Sequence, residues 1–310
     1  MKIFPLLLSM LLISQFSLTC MAQDSTKEDK TSYFKLSAHY LSNAVYSGRK
    51  DSTPVPYFKP GIGYHHKSGF FINAGISVLV SPSEPSHVDL INTEVGYEFK
   101  IRDNFSGSIS AAKYFYADAS FAAGSELKGG VGANISYDNP IATIGLGGEL
   151  LFSTKTDVVT NINLSHGFNI NAVDGLSITP SFQVNAGSQY FNQAYYEYRK
   201  YTIPTINNSG SGSGGSSNGS GRGRGHSYGG GSSTTTTQAI TFTNNNRFSI
   251  LDYEFSMPIN YDKKKWGLFL TPYYVRPVNP TTFALNGVLQ NEPLSNTFFF
   301  EMGLYLKLQK

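Results

Sequence analysis

Residues 297–308 read Thr-Phe-Phe-Phe-Glu-Met-Gly-Leu-Tyr-Leu-Lys-Leu. The alternate positions Phe298, Phe300, Met302, Leu304, Leu306 and Leu308 are all apolar, whereas Thr297, Phe299, Glu301, Gly303, Tyr305 and Lys307 are mostly polar or small. A period of two with one oily side marks a β-strand. The oily side needs a cover. A second sheet supplies it in a sandwich. Bilayer hydrocarbon supplies it if the strand belongs to a closed barrel, and closure also removes unpaired edges.

The rest of the chain repeats the pattern. Alternation marks strands at 33–46, 53–66, 70–80, 87–101, 104–117, 124–138, 141–154, 157–169, 176–190, 247–261 and 266–277, so the closing strand is the twelfth. The outward sets include Leu127, Ile162 and Leu251, with Tyr40, Tyr46, Tyr64, Tyr97, Tyr137, Tyr253 and Tyr261 near strand ends, where girdles meet membrane interfaces. Connections after strands two, four, six, eight and ten are brief, and the others are mostly longer, strand seven excepted. Together these features predict an all-β protein, a 12-stranded antiparallel up-and-down transmembrane β-barrel with both termini at the short-turn end. Pro56, Pro60, Pro180, Pro258 and Pro272 fall inside these strands and each removes a ladder donor, so bulges or rim positions are expected there. They are also what keeps a soluble sandwich in play.

Met1-Lys2-Ile3, an apolar run to about Leu18, and Cys20-Met21-Ala22 before Gln23 fit a signal peptide over 1–22, cleaved near Ala22. The mature chain, 23–310, is then expected in the bacterial outer membrane. Ser17, Leu18 and Thr19 make a poor lipobox for Cys20, the single cysteine, and its removal excludes disulfide scaffolds and thiolate metal sites. No other segment has the roughly 18 consecutive apolar residues of a helical span. With 24 basic against 21 acidic residues, the global field calls for no nucleic acid. Residues 191–246 break the alternation and become Gly/Ser-rich from Ser209 to Ser233, a composition that cannot offset its ordering entropy and reads as an external loop. Gly221-Arg-Gly-Arg-Gly-His226 has the composition of an RNA-binding box, but past a signal peptide it reads as a weakly basic surface segment able to meet anionic lipopolysaccharide.

Asn43-Ala-Val-Tyr46-Ser-Gly48-Arg49-Lys-Asp51, Lys67-Ser-Gly-Phe-Phe-Ile72, Leu251-Asp-Tyr-Glu-Phe-Ser-Met-Pro-Ile259 and Phe300-Glu-Met-Gly-Leu-Tyr-Leu-Lys-Leu308 resemble stretches of an uncharacterised family of Bacteroidota outer-membrane barrel proteins. The likeness spans most of the mature chain. It implies the fold and the location and carries no activity. Such barrels usually end on an aromatic, whereas this sequence ends Leu308-Gln309-Lys310.

The inward set holds the acids Glu94, Glu98, Glu126, Asp138, Glu149, Asp252, Glu254 and Glu301, the bases Lys35, Lys59, Lys100, Lys128 and Lys307, and His39. In a water-filled lumen the acidic excess favours cations. In a filled bore the same charges pair. Twelve strands lie between the filled eight-stranded barrels and the open sixteen-stranded porins. A lipid-modifying enzyme needs a serine and a histidine together at lipid level, but Ser165 and His166 are neighbours in sequence and so face opposite ways, and Ser37 beside His39 has no recognisable motif. No catalytic residue is assigned. His65, His66, His87 and His226 form no metal-ligand spacing, and no cofactor is called for. Gly48-Arg49-Lys50-Asp51 is expected in the first external loop, at a turn or a lipid headgroup. The expected partners are outer-membrane lipid and lipopolysaccharide, and the barrel-insertion machinery through the terminal strand. The pattern specifies neither a solute nor an oligomeric state. Two readings lead: a passive pore or binding barrel for small solutes with an acid-rich lumen, and a structural or surface-interaction barrel with a plugged one. A lipid-modifying enzyme stands behind both.

Overall fold

A computed structural model describes residues 31–51, 54–81, 85–117, 120, 122, 124–192, 240–242, 247–285 and 288–309. The signal-peptide reading and most of the Gly/Ser-rich loop lie outside the described residues. Twelve strands form one closed antiparallel barrel. They are β1 (Tyr33–Leu41), β2 (Tyr57–His65), β3 (Phe70–Leu79), β4 (His87–Arg102), β5 (Phe105–Tyr116), β6 (Gly129–Asp138), β7 (Thr143–Phe152) and β8 (Thr156–Ser165). Then come β9, in two pieces (Leu176–Ile178 and Ser181–Gly187), β10, also in two (Ser249–Ser256 and Ile259–Asp262), β11 (Trp266–Pro277) and β12 (Thr297–Gln309). Each pairs with its neighbours in sequence, and β12 closes the ring on β1 from Tyr33↔Gln309 to Leu41↔Glu301. Both ends of the described barrel therefore sit with the short turns. We call this the turn end and the opposite rim the loop end.

The period of two sorts the faces as expected. Phe34, Ile62, Ile72, Ile109, Ile162, Leu268 and Leu304 are exposed on the outer wall, and Ile162 is 58 % exposed. Apolar residues at this exposure all around a wall form a band that water does not stabilise.

The prolines are accommodated by gaps in the ladder. The β2–β3 register skips Lys59 and Pro60, while Pro60 stays opposite Ala38 of β1. Pro56 precedes β2. Pro180, Pro258 and Pro272 stand on three neighbouring strands. The amides of His166, Thr179 and Met257 donate to the carbonyls of Pro180, Pro258 and Pro272 at 3.2, 2.8 and 3.2 Å. Proline has no N–H, so none of these bonds can be returned. Three successive strand pairs thus carry a halved rung, and β9 and β10 each break in two there.

Several sequence expectations are corrected. The first strand ends at Leu41 rather than at 46. Residues Val45–Tyr46 and Arg49–Lys50 instead form a small hairpin within the first loop. Tyr46 is therefore not on the outer girdle but packs inside the barrel with Phe191, Leu127 and Leu251. The sixth strand starts at Gly129, not 124, which leaves Glu126 and Lys128 in the preceding loop and off the barrel wall, with Lys128 exposed. Leu127, expected outside, is 3 % exposed and inside. Leu251 is also inside, at 0 % exposure. There the β9–β10 register slips between Asn185 and Ala186, which pair with Asp252 and Ile250, so Leu251 is the extra residue of a bulge. A one-residue slip sends two consecutive side chains, Leu251 and Asp252, to the same face.

Candidate functional site

The two ends of the bore are built differently. At the loop end, Leu127, Leu151, Val159, Phe191 and Leu251 form a buried apolar cluster, joined by Tyr46 and Tyr114. A second cluster, Val55, Tyr57 and Leu79, packs beside Leu41 and Ala44. Tyr46 and Val55 belong to the first loop, residues 42–56. That loop therefore folds into the barrel instead of outward, and it reaches strands on the far side of the bore.

Arg49 anchors it. The residue is 3 % exposed, which contradicts its expected place at an external turn or a lipid headgroup. Nη1 donates to the carbonyls of Ser47 at 2.9 Å and Leu251 at 2.8 Å. Nη2 donates to Gln189 Oε1 at 2.9 Å and to the carbonyls of Val278 and Asn279, each at 3.2 Å. Glu292 Oε2 lies 3.5 Å from Nη2. The Leu251 carbonyl also accepts the Val278 amide at 2.8 Å. The planar, permanently charged guanidinium fits several carbonyls and a carboxylate at once, which a lysine cannot do.

The network continues through the fifth loop, which follows β9, and the sixth, which follows β11. Thr281 donates its hydroxyl to Gln189 Oε1 at 2.8 Å and its amide to Glu292 Oε2 at 3.1 Å. Asn192 Nδ2 donates to Glu292 Oε1 at 2.8 Å. Asp157, at the loop end of β8, accepts the amides of Tyr190 and Phe191 at 2.7 Å each and the Ser188 hydroxyl at 2.6 Å. A carboxylate taking successive amides at the start of a helical turn is a cap, and this one aims Phe191 into the apolar cluster. The backbone around Arg49 is equally committed. Ser47 and Gly48 have φ of 45° and 75°, and a Cβ on Gly48 would lie 2.9 Å from the Cβ atoms of Asp252 and Pro277. Three loops are thereby tied across the mouth.

On β4, Asp89 is 1 % exposed and occupies a bulge where Ser77 pairs with Leu90 and Val78 with Val88. It accepts the Tyr57 hydroxyl and the Ser120 hydroxyl.

Of the residues expected to line the lumen, Glu94, Glu149, Asp252 and Glu301 are buried inside. Glu301 accepts Lys59 Nζ at 3.0 Å and lies 3.3 Å from His39 Nδ1, so these three come together. Glu94 accepts Asn73 Nδ2 at 3.2 Å, and Asp252 accepts Asn185 Nδ2 at 2.7 Å. Glu254 pairs in register with Gln183 of β9 and Val275 of β11. Lys35 and Lys307 face each other across the β1–β12 seam. Glu98, Lys100 and Asp138 are exposed towards the turn end, where Lys100 lies 3.4 Å from Asp103 and Asp138 accepts the Thr143 hydroxyl. Ser165 is buried and His166 packs on Phe168 at 4.5 Å, so the two do face apart. Arg49, Asp89, Asp157, Gln189, Asn192 and Glu292 were not legible as a site. Arg49, Gln189, Asn192 and Glu292 sit in loops, Asp89 at a bulge and Asp157 at the start of a strand, and only the folded loops bring them together.

The turn end has a different lining. Ser106 and Ser136 bond at 2.8 Å, Asn134 donates to Ser108 at 2.7 Å, and Asn163 donates to Ser181 at 2.6 Å. These side chains are short and polar, and the inward-facing Glu98 is exposed. The bore is thus filled by apolar residues at the loop end, whereas the turn-end cup is lined by short polar side chains and by the buried rings of Phe71 and Tyr305.

No family model matches the chain, and no curated protein matches it. Among solved structures the chain is similar to the NanC porin, at 12 % identity and a TM-score of 0.44 over 89 % of this chain and 100 % of that one. It is similar to LpxR from Salmonella typhimurium at 8 % identity and 0.43, over 88 % and 99 %. It is also similar to an outer membrane channel from Pseudomonas putida F1 at 8 % identity and 0.43, over 91 % and 97 %.

Proposed function

We propose that this is an outer-membrane β-barrel whose first loop seals the bore at the loop end, a closed or gated barrel rather than a constitutively open pore. The membrane reading is supported by the exposed apolar wall on a sheet with no edge, since a closed barrel satisfies every strand inside hydrocarbon. The closed reading is carried by Arg49. A charged side chain with 2 % of its surface exposed, forked onto three loops, is retained where it sits only if its bonds are kept. Of the two readings open from the sequence, the filled bore is favoured by this geometry. Inside the bore Lys59 pairs with Glu301 and Arg49 lies beside Glu292, the charge pairing expected of a filled interior.

Planar-bilayer recording on refolded protein tests it. Wild-type protein is expected to be silent, or to open only in brief events, under conditions where a known porin conducts steadily. Arg49→Ala is expected to give frequent openings. Steady cation-selective steps from wild-type protein overturn the reading and restore the passive pore.

A further inference from the structure

From the turn-end cup we infer that the protein binds a small soluble phosphate-class oxyanion between Lys35 and Lys307, inside the barrel mouth. The inference does not depend on whether the loop end opens.

The β1–β12 pairing puts Lys35 and Lys307 directly opposite one another on adjacent strands. Both belong to the inward-facing alternates, with exposed Leu36, Leu306 and Leu308 on the other side. Like charges directly across an antiparallel pair destabilise it. Neither ammonium is in an ion pair among the described residues. They are instead held by aromatic faces. Lys35 Nζ stands 4.9 Å from the Tyr305 ring centre, and Lys307 Nζ stands 5.4 Å from the same ring and 5.7 Å from Tyr33. One tyrosine ring thus carries two cations, and its hydroxyl is committed to Asp262. Tyr33 in turn stacks on His65 at 4.9 Å and 4°, and His65 stacks on Phe71 at 5.8 Å.

This arrangement differs from that of the inward Lys59. Lys59, one strand along, has a carboxylate partner in Glu301. At Lys35 and Lys307 the wall offers the Tyr305 and Tyr33 rings and a second positive charge. Two half-buried ammonium groups on paired strands, set over one ring, match an anion with several acceptor oxygens and more than one negative charge. Such an anion replaces the repulsion across the strand pair with two charge-assisted bonds. A single chloride offers neither the charge nor the oxygens. The position inside the bore favours a soluble anion over a lipid headgroup, which would approach from the outer wall.

The test is titration calorimetry with inorganic pyrophosphate on folded protein in zwitterionic detergent, at physiological chloride, so that diffuse attraction is screened. Saturable one-site binding is expected, weakened at least tenfold in Lys307→Gln and in Lys35→Gln, and unchanged in Lys113→Gln, whose side chain lies against Phe115 on the outer wall. The heat-modifiable gel shift identifies folded protein for each variant. Because removing one lysine also relieves the repulsion, both variants are expected to fold. Two results overturn the inference: no saturable heat with pyrophosphate, or an affinity unchanged in both cup variants. Binding equally weakened in Lys113→Gln also overturns it, because that is nonspecific attraction.

Discussion

Arg49 Nη2 lies 3.5 Å from Glu292 Oε2, and neither side chain is more than 3 % exposed. The pair joins the first loop to the last, across the mouth of a barrel whose wall would otherwise leave those loops in solvent. Removing one partner of a buried pair strands the other, and this sets the size of the first expectation. Arg49→Ala should destabilise the folded barrel by about 3–5 kcal/mol. Arg49→Lys keeps the charge but loses the fork, and should recover only part of that. Urea unfolding followed by tryptophan emission, with Glu292→Gln and the double variant completing a cycle, measures the coupling. Additive losses across the cycle would mean that the two residues do not act together.

Asp157 carries the second. Its carboxylate holds the amides of Tyr190 and Phe191, so Asp157→Ala removes a cap and leaves buried donors unpaired. A loss of about 1–3 kcal/mol is expected, together with faster protease cleavage after Phe191. Cleavage at the wild-type rate would show that Phe191 holds its place without the cap.

Two glycines beside the seal should respond oppositely. Gly48 has positive φ and a Cβ there would press on Asp252 and Pro277, so Gly48→Ala is strained in the backbone and crowded at once. Gly124 is different, because a Cβ there would meet Leu127 and Tyr46 at 3.5 and 3.6 Å, an ordinary contact. Thermal unfolding should show Gly48→Ala losing on the order of 2 kcal/mol or more, with Gly124→Ala near wild type. Comparable melting points for the two would contradict the placement of the first loop inside the bore.

At the turn end, Lys263 Nζ donates to both the carbonyl and Oδ2 of Asp174 at 2.8 Å. This hydrogen bond, and then the charge of Lys263, hold the Asp174 carboxyl below its usual range, while the same bond raises Lys263. A carboxyl depressed in the folded state contributes stability above its unfolded pKa and loses it as pH falls through the folded value. Asp174 is almost fully exposed, so the effect on stability is small and the titration itself is the readout. Carbon-detected NMR should place the Asp174 midpoint below the ordinary aspartate range, and Lys263→Gln should return it there. A midpoint indifferent to Lys263→Gln would dissolve the tie.

Much of this protein is written in its local pattern. The alternation at 297–308 and its recurrences set the number of strands, the outer wall and the alternation of short turns with long loops, because a pleated strand places every second side chain on one face whatever lies around it. The prolines at 180, 258 and 272 were legible as ladder breaks for an equally local reason, the missing N–H. The occupancy of the bore was decided at a distance. Tyr46 continues the alternation of the first strand in sequence, yet the chain leaves the wall after Leu41 and carries it inside. Leu251 is apolar at an outward position until a bulge reverses it. Arg49 finds Gln189, Leu251 and Glu292 only when the barrel closes and brings their strands and loops to one rim. Lys35 and Lys307 become neighbours for the same reason, since the pairing of first strand with last is a property of closure. Periodicity reports which side of a strand a residue takes. Bulges, inserted loops and the contacts across a closed ring depend on register between distant segments, and that register is established by tertiary packing alone.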